Sequence, residues 1–416
     1  MIKFTAPSVS VQTVKKTFLY LVFSITLLTS GYVVGATTNQ PNESKNIKVT
    51  LNREVPADKN LDFSLFWKVW DALEDSYFDK SHLIASDMVY GAIKGMVAAV
   101  DDPYTVFLTP NENKIVQEDL NGNFDGVGVQ IGFQGKQLAV VAALTGSPAQ
   151  KAGIMAGDLI VGIKDEKKGV DRTTANISLP EAVQIIRGPA GTTVTLALLR
   201  DGTTDPIIVD LTRESIFVPS VTLKYVGQEN KIAHLSISKF GAETYTEWDK
   251  AVRELLQNQA LKGVIVDVRN NTGGYLQASV DIASEFITAG NVIVIEEQAG
   301  NARHEFKVNR VGRLIDTPVV MLVNQGSASA SEILAGALKD QKEVKLIGKK
   351  TFGKGTIQEP QRVDGGGGLH ITIAKWLTPK GTWVNEKGLD PDFDVDDNPD
   401  TIEDEQLLKA IEVLGK

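Results

Sequence analysis

The sequence predicts a modular α/β protein whose largest module is built on a mostly parallel sheet. Three observations lead there. From about residue 214 onward, apolar strands alternate with amphipathic helices, the pattern of parallel strands joined by crossover helices. Residues 116–213 have a different texture, with short β-type runs cut by turns rich in Gly, Asp and Asn. Between residues 61 and 115 the apolar spacing is helical. A chain of 416 residues is too long for a single core, so several modules are expected.

Composition narrows the classes. Hydrophobic residues make up 42% and charged residues 23%, as in ordinary globular protein. The net charge of −9 provides no basic surface for nucleic acid. The absence of cysteine removes disulfides, thiolate metal ligands and a thiol nucleophile. The four histidines, His82, His234, His304 and His370, are scattered and show no metal-ligand spacing. No metal or other cofactor is expected.

At the amino end, residues 17–36 are uncharged and mostly apolar. Twenty helical residues rise about 30 Å, enough to span a bilayer. Lys3, Lys15 and Lys16 precede the run and the first acid is Glu43, so residues 1–16 are expected in the cytoplasm and the rest across the membrane. A retained anchor is favoured by the length of the run. A signal peptide cleaved after Ala36, at Val34-Gly35-Ala36, is the alternative and would give a secreted form. Either way the body of the protein is expected outside the cytoplasm, periplasmic or at the cell surface. Residues 37–60 read as a polar linker.

Residues 61–115 carry Leu65, Phe66, Val69, Trp70, Leu73 and Tyr77 at helical spacing. A second helix is expected near 86–100, with Ser86 as its N-cap and Asp101-Asp102-Pro103-Tyr104 as its closing turn. Trp67 and Trp70 are read as core aromatics. The module is expected to serve as scaffold or assembly surface, including for a homo-oligomer, rather than in chemistry.

In residues 116–213, strands are expected at 127–133, 138–143, 159–163, 193–199 and 207–212, with helices at 147–152 and 179–186. Gly126-Val127-Gly128-Val129 opens the first strand. Glycines there allow successive backbone N–H groups to turn toward a carboxylate, and the strand that follows could accept a peptide by strand addition. A module that merely pads the fold is the bland alternative.

This block resembles a PDZ domain. The resemblance rests on Gly126–Ile131, on Ser147-Pro148-Ala149-Gln150-Lys151-Ala152-Gly153-Ile154, on Ala156-Gly157-Asp158-Leu159-Ile160 and on Arg187-Gly188-Pro189-Ala190-Gly191-Thr192. It implies capture of a protein's carboxyl terminus with an apolar last side chain. Arg187, between the expected groove helix and a Gly turn, is a candidate sensor of occupancy that pairs with a neighbouring module. The default for any one Arg is a surface charge.

In residues 214–400, strands are expected at 232–237, 264–268, 319–323 and 344–347, and helices at 244–257, 276–287 and 332–338. Chemistry in such sheets sits at strand-to-helix turns. Two turns stand out, residues 270–274 (Asn-Asn-Thr-Gly-Gly) and 324–331, where Ser327, Ser329 and Ser331 alternate with alanine. A helix start offers free N–H groups and a positive dipole end for an oxyanion. A serine nucleophile needs a base, and no histidine lies in either turn. Lys354 in Gly353-Lys354-Gly355 is the candidate, 25 residues after Ser329. An ordinary lysine, pKa about 10.4, is protonated at neutral pH, so the base must be kept dry. Gln358 is a candidate to orient its amine, and Gly273 or Gly274 to supply a second oxyanion donor. Spacing alone does not choose among the three serines.

These residues resemble the carboxyl-terminal processing peptidases, tail-specific serine proteases with a Ser/Lys dyad. The carrying motifs are residues 323–333 (Val-Asn-Gln-Gly-Ser-Ala-Ser-Ala-Ser-Glu-Ile), 350–358 (Lys-Thr-Phe-Gly-Lys-Gly-Thr-Ile-Gln), 267–274 (Asp-Val-Arg-Asn-Asn-Thr-Gly-Gly) and Asp102-Pro103-Tyr104-Thr105. The resemblance implies a ClpP/crotonase-like protease core, with Ser329 as nucleophile, Lys354 as general base and Gln358 as its partner. It further implies an oxyanion hole from the Ala330 N–H and that of Gly273 or Gly274. Protein or peptide substrates with apolar carboxyl termini, and a regulatory partner protein, are the expected partners. Thr272 stands where the family often has proline.

Competing signals are weaker. Residues 348–354 spell GxxxxGK, but Gly355 replaces the Ser/Thr of a phosphate loop and Pro360 follows where a helix is needed. No GxSxG elbow occurs. The acidic stretch 390–405 is read as a solvated loop, followed by a capping box from Thr401 to Asp404 and an amphipathic helix with Ile402, Leu407, Leu408, Ile411 and Leu414. The expected order is therefore anchor 1–36, linker 37–60, helical module 61–115, PDZ domain 116–213, Ser/Lys protease core 214–400 and terminal helix 401–416. A catalytically silent PDZ scaffold and a crotonase-like acyl-CoA enzyme are the rival readings.

Overall fold

The computed structural model describes residues 62–134, 137–144, 146–175, 177, 179–397, 401 and 403–415. The apolar run 17–36, the linker 37–60 and Ile402 lie outside the described residues. Among the described residues no helix is long and apolar enough to cross a membrane. The chain divides into two compact units, one ending at Tyr90 and one beginning at Gly91.

The first unit carries helix α1 (Ser64–Ser76). Trp70 is 3% exposed, as expected of a core aromatic, whereas Trp67, edge-to-face with Phe66 at 4.9 Å, is only half-buried. Helix α2 (Ala85–Ala98) runs across the division between the units. It starts earlier than its sequence signal. The Ile84 carbonyl already accepts the N–H groups of Asp87 and Met88, so Ser86 lies inside the first turn instead of capping it.

Strand β1 (Val106–Leu108) and helix α3 (Pro110–Asn121) follow, so the expected module boundary at residues 115 and 116 falls inside a helix. Its local signals are strong. Thr109 and Glu112 form a capping box, Pro110 opens the first turn, and Gly122 ends it at φ 72°. Strand β2 (Asn123–Gly126) then leads into the β-module. That module comprises β3 (Val129–Gln134), β4 (Gln137–Ala143), α4 (Pro148–Lys151), β5 (Leu159–Asp165), β6 (Val170–Thr173), α5 (Leu179–Ile186), β7 (Thr193–Leu199) and β8 (Ile207–Thr212). Its sheet runs β3-β4-β5-β7-β8, with β6 on β5, over a core that includes Leu138, Ile160, Ile163, Leu196 and Leu198. Strand β9 (Glu214–Phe217) leaves the module and pairs antiparallel with β2, so entry and exit share one ribbon.

The remaining chain holds β10 (Val221–Val226), β11 (Ile232–Ile237), α6 (Thr244–Leu255), β12 (Gly263–Asp267), α7 (Leu276–Ala283), β13 (Val292–Gln298), β14 (Arg303–Lys307), β15 (Val319–Val323), α8 (Ala330–Lys342), β16 (Lys345–Gly348), β17 (Thr356–Arg362), β18 (Gly368–Leu377), β19 (Phe393–Asp394) and α9 (Glu405–Leu414). The central sheet has the order β10-β11-β12-β15-β16-β19 and is parallel from β11 onward. Strands β12 and β15 are buried at every residue, as continuous apolar strands covered on both faces must be. Trp248, Val252, Ile282 and Leu334 from α6, α7 and α8 cover one face. Ala410, Leu407 and Ile411 of α9 pack on Ile265, Val320, Leu322 and Ile347 of the other.

A second sheet, β1-β18-β13-β14 with β17 on β18, is antiparallel throughout. It was barely legible in the sequence, because β17 reads Thr-Ile-Gln-Glu-Pro-Gln-Arg and has no apolar alternation. Two tail expectations are corrected. The acidic stretch is partly ordered, with β19 pairing with β16 and Asp392 accepting the Leu346 N–H. The cap of α9 is Asp404, which accepts the Leu407 N–H at 2.8 Å, and not Thr401.

Candidate active site

The three serines occupy different environments where β15 gives way to α8. Ser327 is fully buried, and its hydroxyl donates to the Val268 carbonyl at 2.8 Å. Ser331 is likewise buried and donates to the Asn271 carbonyl at 2.8 Å. Both hydroxyls bind the serine turn to the segment 268–271. Ser329 differs. It is half-buried, occupies the N-cap of α8 at φ 54° and ψ −114°, and among the described residues its hydroxyl is tied to no group beyond the first turn of that helix. Such a backbone is costly for any residue but glycine and marks a position held by its surroundings.

Glu332 does much of the holding. It has no solvent exposure, and its carboxylate accepts the Ser329 N–H at 2.9 Å. The same carboxylate accepts the Thr351 hydroxyl at 2.6 Å, the Gly353 N–H at 2.7 Å and the Lys354 N–H at 2.9 Å. One buried anion with four donors thus joins the serine turn to the lysine loop, and those bonds repay its desolvation. The glycines beside the lysine are required by close packing. A Cβ on Gly353 would sit 2.9 Å from the Gly388 nitrogen, and one on Gly355 2.6 Å from Trp383 Nε1. Trp376 Nε1 donates to the Lys354 carbonyl at 2.9 Å.

The Lys354 amine lies over the Tyr104 ring, 4.7 Å from its centroid. Burial lowers its pKa, while the Asp102 carboxylate acts in the opposite sense. Asp102 accepts the Tyr104 N–H at 3.0 Å and the Thr105 hydroxyl at 2.6 Å. Burial pushes its own pKa up, but those bonds, one with Thr372 and the Lys354 charge bring it below the ordinary value. Among the described residues no hydrogen bond joins Ser329 to Lys354. The Gln358 amide donates to Thr356 at 2.9 Å and to Thr372 at 3.0 Å, and among the described residues no hydrogen bond joins its oxygen to the Lys354 amine.

Opposite the serine, a Cβ on Gly273 would lie 2.9 Å from Ser329 Cβ and 3.1 Å from the Ala330 nitrogen. The Gly273 N–H donates to Asn271 Oδ1 at 2.9 Å. Those of Gly274 and Ala330 have no partner among the described residues. Gly274, at φ 135°, lies against the Phe240 carbonyl, where a Cβ would approach to 2.1 Å.

Away from this centre, β3 is an edge strand with α5 beside it. A cavity of about 220 Å³ lies between them, lined by Phe124, Gly126, Val127, Gly128, Val129, Ile131, Val183, Ile186 and Arg187. Gly128, at φ 71°, admits no side chain, since a Cβ would lie 2.2 Å from Ser147 Cβ. Arg187 stacks on Phe124 at 4.4 Å, and its Nη1 is buried without a hydrogen-bond partner among the described residues. It also borders a second cavity, shared with Lys114, Ile115 and Glu118 of α3. The structure thus sets Gly273 of the 270–274 turn against Ser329 and Ala330 of the serine turn, ties Lys354 to the latter through Glu332, and sets the groove residues and Arg187 apart.

Sequence reasoning assigned no role to Glu332, Asp102, Tyr104 or Asn271. Glu332 had a usable signal, because Ser329-x-x-Glu332 is a capping-box pattern ahead of an apolar run. Asp102 and Tyr104 come from the segment read as scaffold, and only the pairing of β1 with β18 brings them to the lysine.

Fold and site together define a class, a serine-type peptidase with a peptide-binding PDZ domain. Residues 231–395 match the model of peptidase family S41, residues 140–200 the PDZ domain, and residues 25–111 the activating protease CtpB N-terminal domain. The carboxyl-terminal-processing protease of Synechocystis sp. is 38% identical over 327 residues, covering 78% of this chain and 74% of the relative. The carboxy-terminal processing protease CtpA of Bacillus subtilis is 34% identical over 324 residues, covering 78% and 67%. The solved photosystem II D1 C-terminal processing protease superposes with a TM-score of 0.50 at 29% identity, covering 85% of this chain and 97% of that one. The chain belongs to the S41 carboxyl-terminal processing proteases.

Proposed function

We propose that this enzyme is an endopeptidase that captures the apolar carboxyl terminus of a protein in its PDZ groove and cuts near that end with a Ser329/Lys354 dyad. The single observation that carries the dyad is the contrast among the serines. Ser327 and Ser331 spend their hydroxyls on the fold, while Ser329 sits strained at a helix start, joined through Glu332 to a lysine whose charge burial disfavours. In the reaction the neutral Lys354 amine takes the hydroxyl proton as Ser329 Oγ attacks the carbonyl carbon. The tetrahedral oxyanion is held by the Ala330 and Gly274 N–H groups, both uncommitted, whereas Gly273 already serves Asn271. The ammonium then protonates the leaving amine, and water, deprotonated by the same lysine, hydrolyses the acyl-enzyme.

With the Lys354 amine over the Tyr104 ring and no hydrogen bond to Ser329 among the described residues, the arrangement is a resting one that substrate or a regulatory partner completes. Arg187, bordering both the groove and the α3 cavity, is the residue through which groove occupancy reaches the core. Residues 17–36 anchor the enzyme, with the catalytic part outside the cytoplasm. The test is cleavage of a protein with an apolar carboxyl-terminal tag by wild type and Ser329→Ala. Loss of cleavage in the variant supports the reading, and equal activity, or none in wild type, sinks it.

A further inference from the structure

The C-terminal helix reaches the catalytic turn through one arginine. Arg269 lies four residues before Gly273, and each of its five N–H groups has an acceptor. Nε and Nη2 donate to the two oxygens of Asp267 at 3.0 and 2.8 Å. Nη1 and Nη2 donate to the two oxygens of Asp404 at 2.9 and 2.7 Å, and Nη1 also donates to Gln406 Oε1 at 3.1 Å. A guanidinium held by two carboxylate forks has one orientation. The next residue, Asn270, is at φ 57°, and its N–H and side chain pair with Asn324 of the serine turn at 2.9 Å each.

Asp267 alone would neutralise Arg269. The second carboxylate does something else, because it comes from the tail. Asp404 caps α9, whose Leu407 and Ala410 are seated on the sheet face behind the turn. We propose that Asp404 is a positioning residue for catalysis: through Arg269 it fixes the 270–274 turn so that the Gly274 N–H points where the oxyanion forms. This rests on the oxyanion assignment made above.

The test uses the full chain with Asp404→Asn and Asp404→Ser, both good helix caps, so the cap is kept while the charged fork is lost. The readouts are kcat, KM, Tm and the Ki of a peptide boronic acid, which mimics the tetrahedral adduct. The proposal expects kcat to fall about tenfold and the boronate Ki to rise about tenfold, with KM within about twofold. Leu407→Ala, which loosens the helix and leaves the fork, is expected to lower Tm and keep kcat below the melting range. The inference is overturned if the Asp404 variants lower Tm with kcat and Ki unchanged, or if neither folds, since the carboxylate is then structural only. A wild-type enzyme no more active than Ser329→Ala would instead sink the dyad reading beneath it.

Discussion

At the scale of residues, few polar groups around the serine turn are left uncommitted. Ser329 pays for its position in backbone strain, so Ser329→Gly is expected to melt higher, by about 1 kcal/mol of stability, while losing all cleavage. A higher Tm by calorimetry together with no product is the expected pair of results. Glu332→Gln is expected to do the opposite. An amide must turn its NH₂ toward one pair of the four donors that the carboxylate now satisfies. We expect a loss of about 3 kcal/mol in denaturant unfolding and a fall of about 100-fold in kcat as the lysine loop shifts. The lysine also fixes a pH dependence. In the proposed dyad only its neutral form is a base, so kcat/KM is expected to rise with pH through the pKa that burial has lowered. Asp102 acts to raise that pKa, so Asp102→Asn is expected to move the acidic limb to lower pH. A limb that moves up would remove Lys354 from the role of base.

At the scale of elements, the groove and the catalytic turn make separate predictions. Val183 of α5 lines the groove, and Val183→Asp is expected to weaken a peptide with an apolar carboxyl terminus about tenfold or more in a fluorescence-anisotropy titration. The same variant should cleave a short internal peptide as wild type does. Much of this was legible in the sequence. Helix 179–186 and strands 193–199, 207–212, 232–237 and 319–323 lie where periodicity puts them, because each is a strongly apolar or alternating run. The antiparallel second sheet was not legible. Among the described residues strand β17 pairs only with its hairpin partner β18, and β18 is held by pairing over a wide sequence distance with β1 and β13. The same long-range pairing hid Asp102 and Tyr104, whose closeness to Lys354 is a product of the fold and not of spacing.

At the scale of the molecule, the β-module enters and leaves the core through one two-stranded ribbon, β2 with β9. Phe124 of that ribbon carries Arg187 on its face. Whatever occupies the groove is therefore close to both chain crossings that join the β-module to the core. Which serine reacts was open on spacing alone and rested on family likeness. The structure adds a physical distinction, since two of the three hydroxyls are buried and already bonded. The most direct measurement of the central claim is mass-spectrometric mapping of the enzyme after reaction with a fluorophosphonate, which phosphonylates an activated serine. The account predicts one adduct, on Ser329, with labelling slowed by at least about 100-fold in Lys354→Ala. An adduct on Ser327 or Ser331, or undiminished labelling of Lys354→Ala, would contradict it.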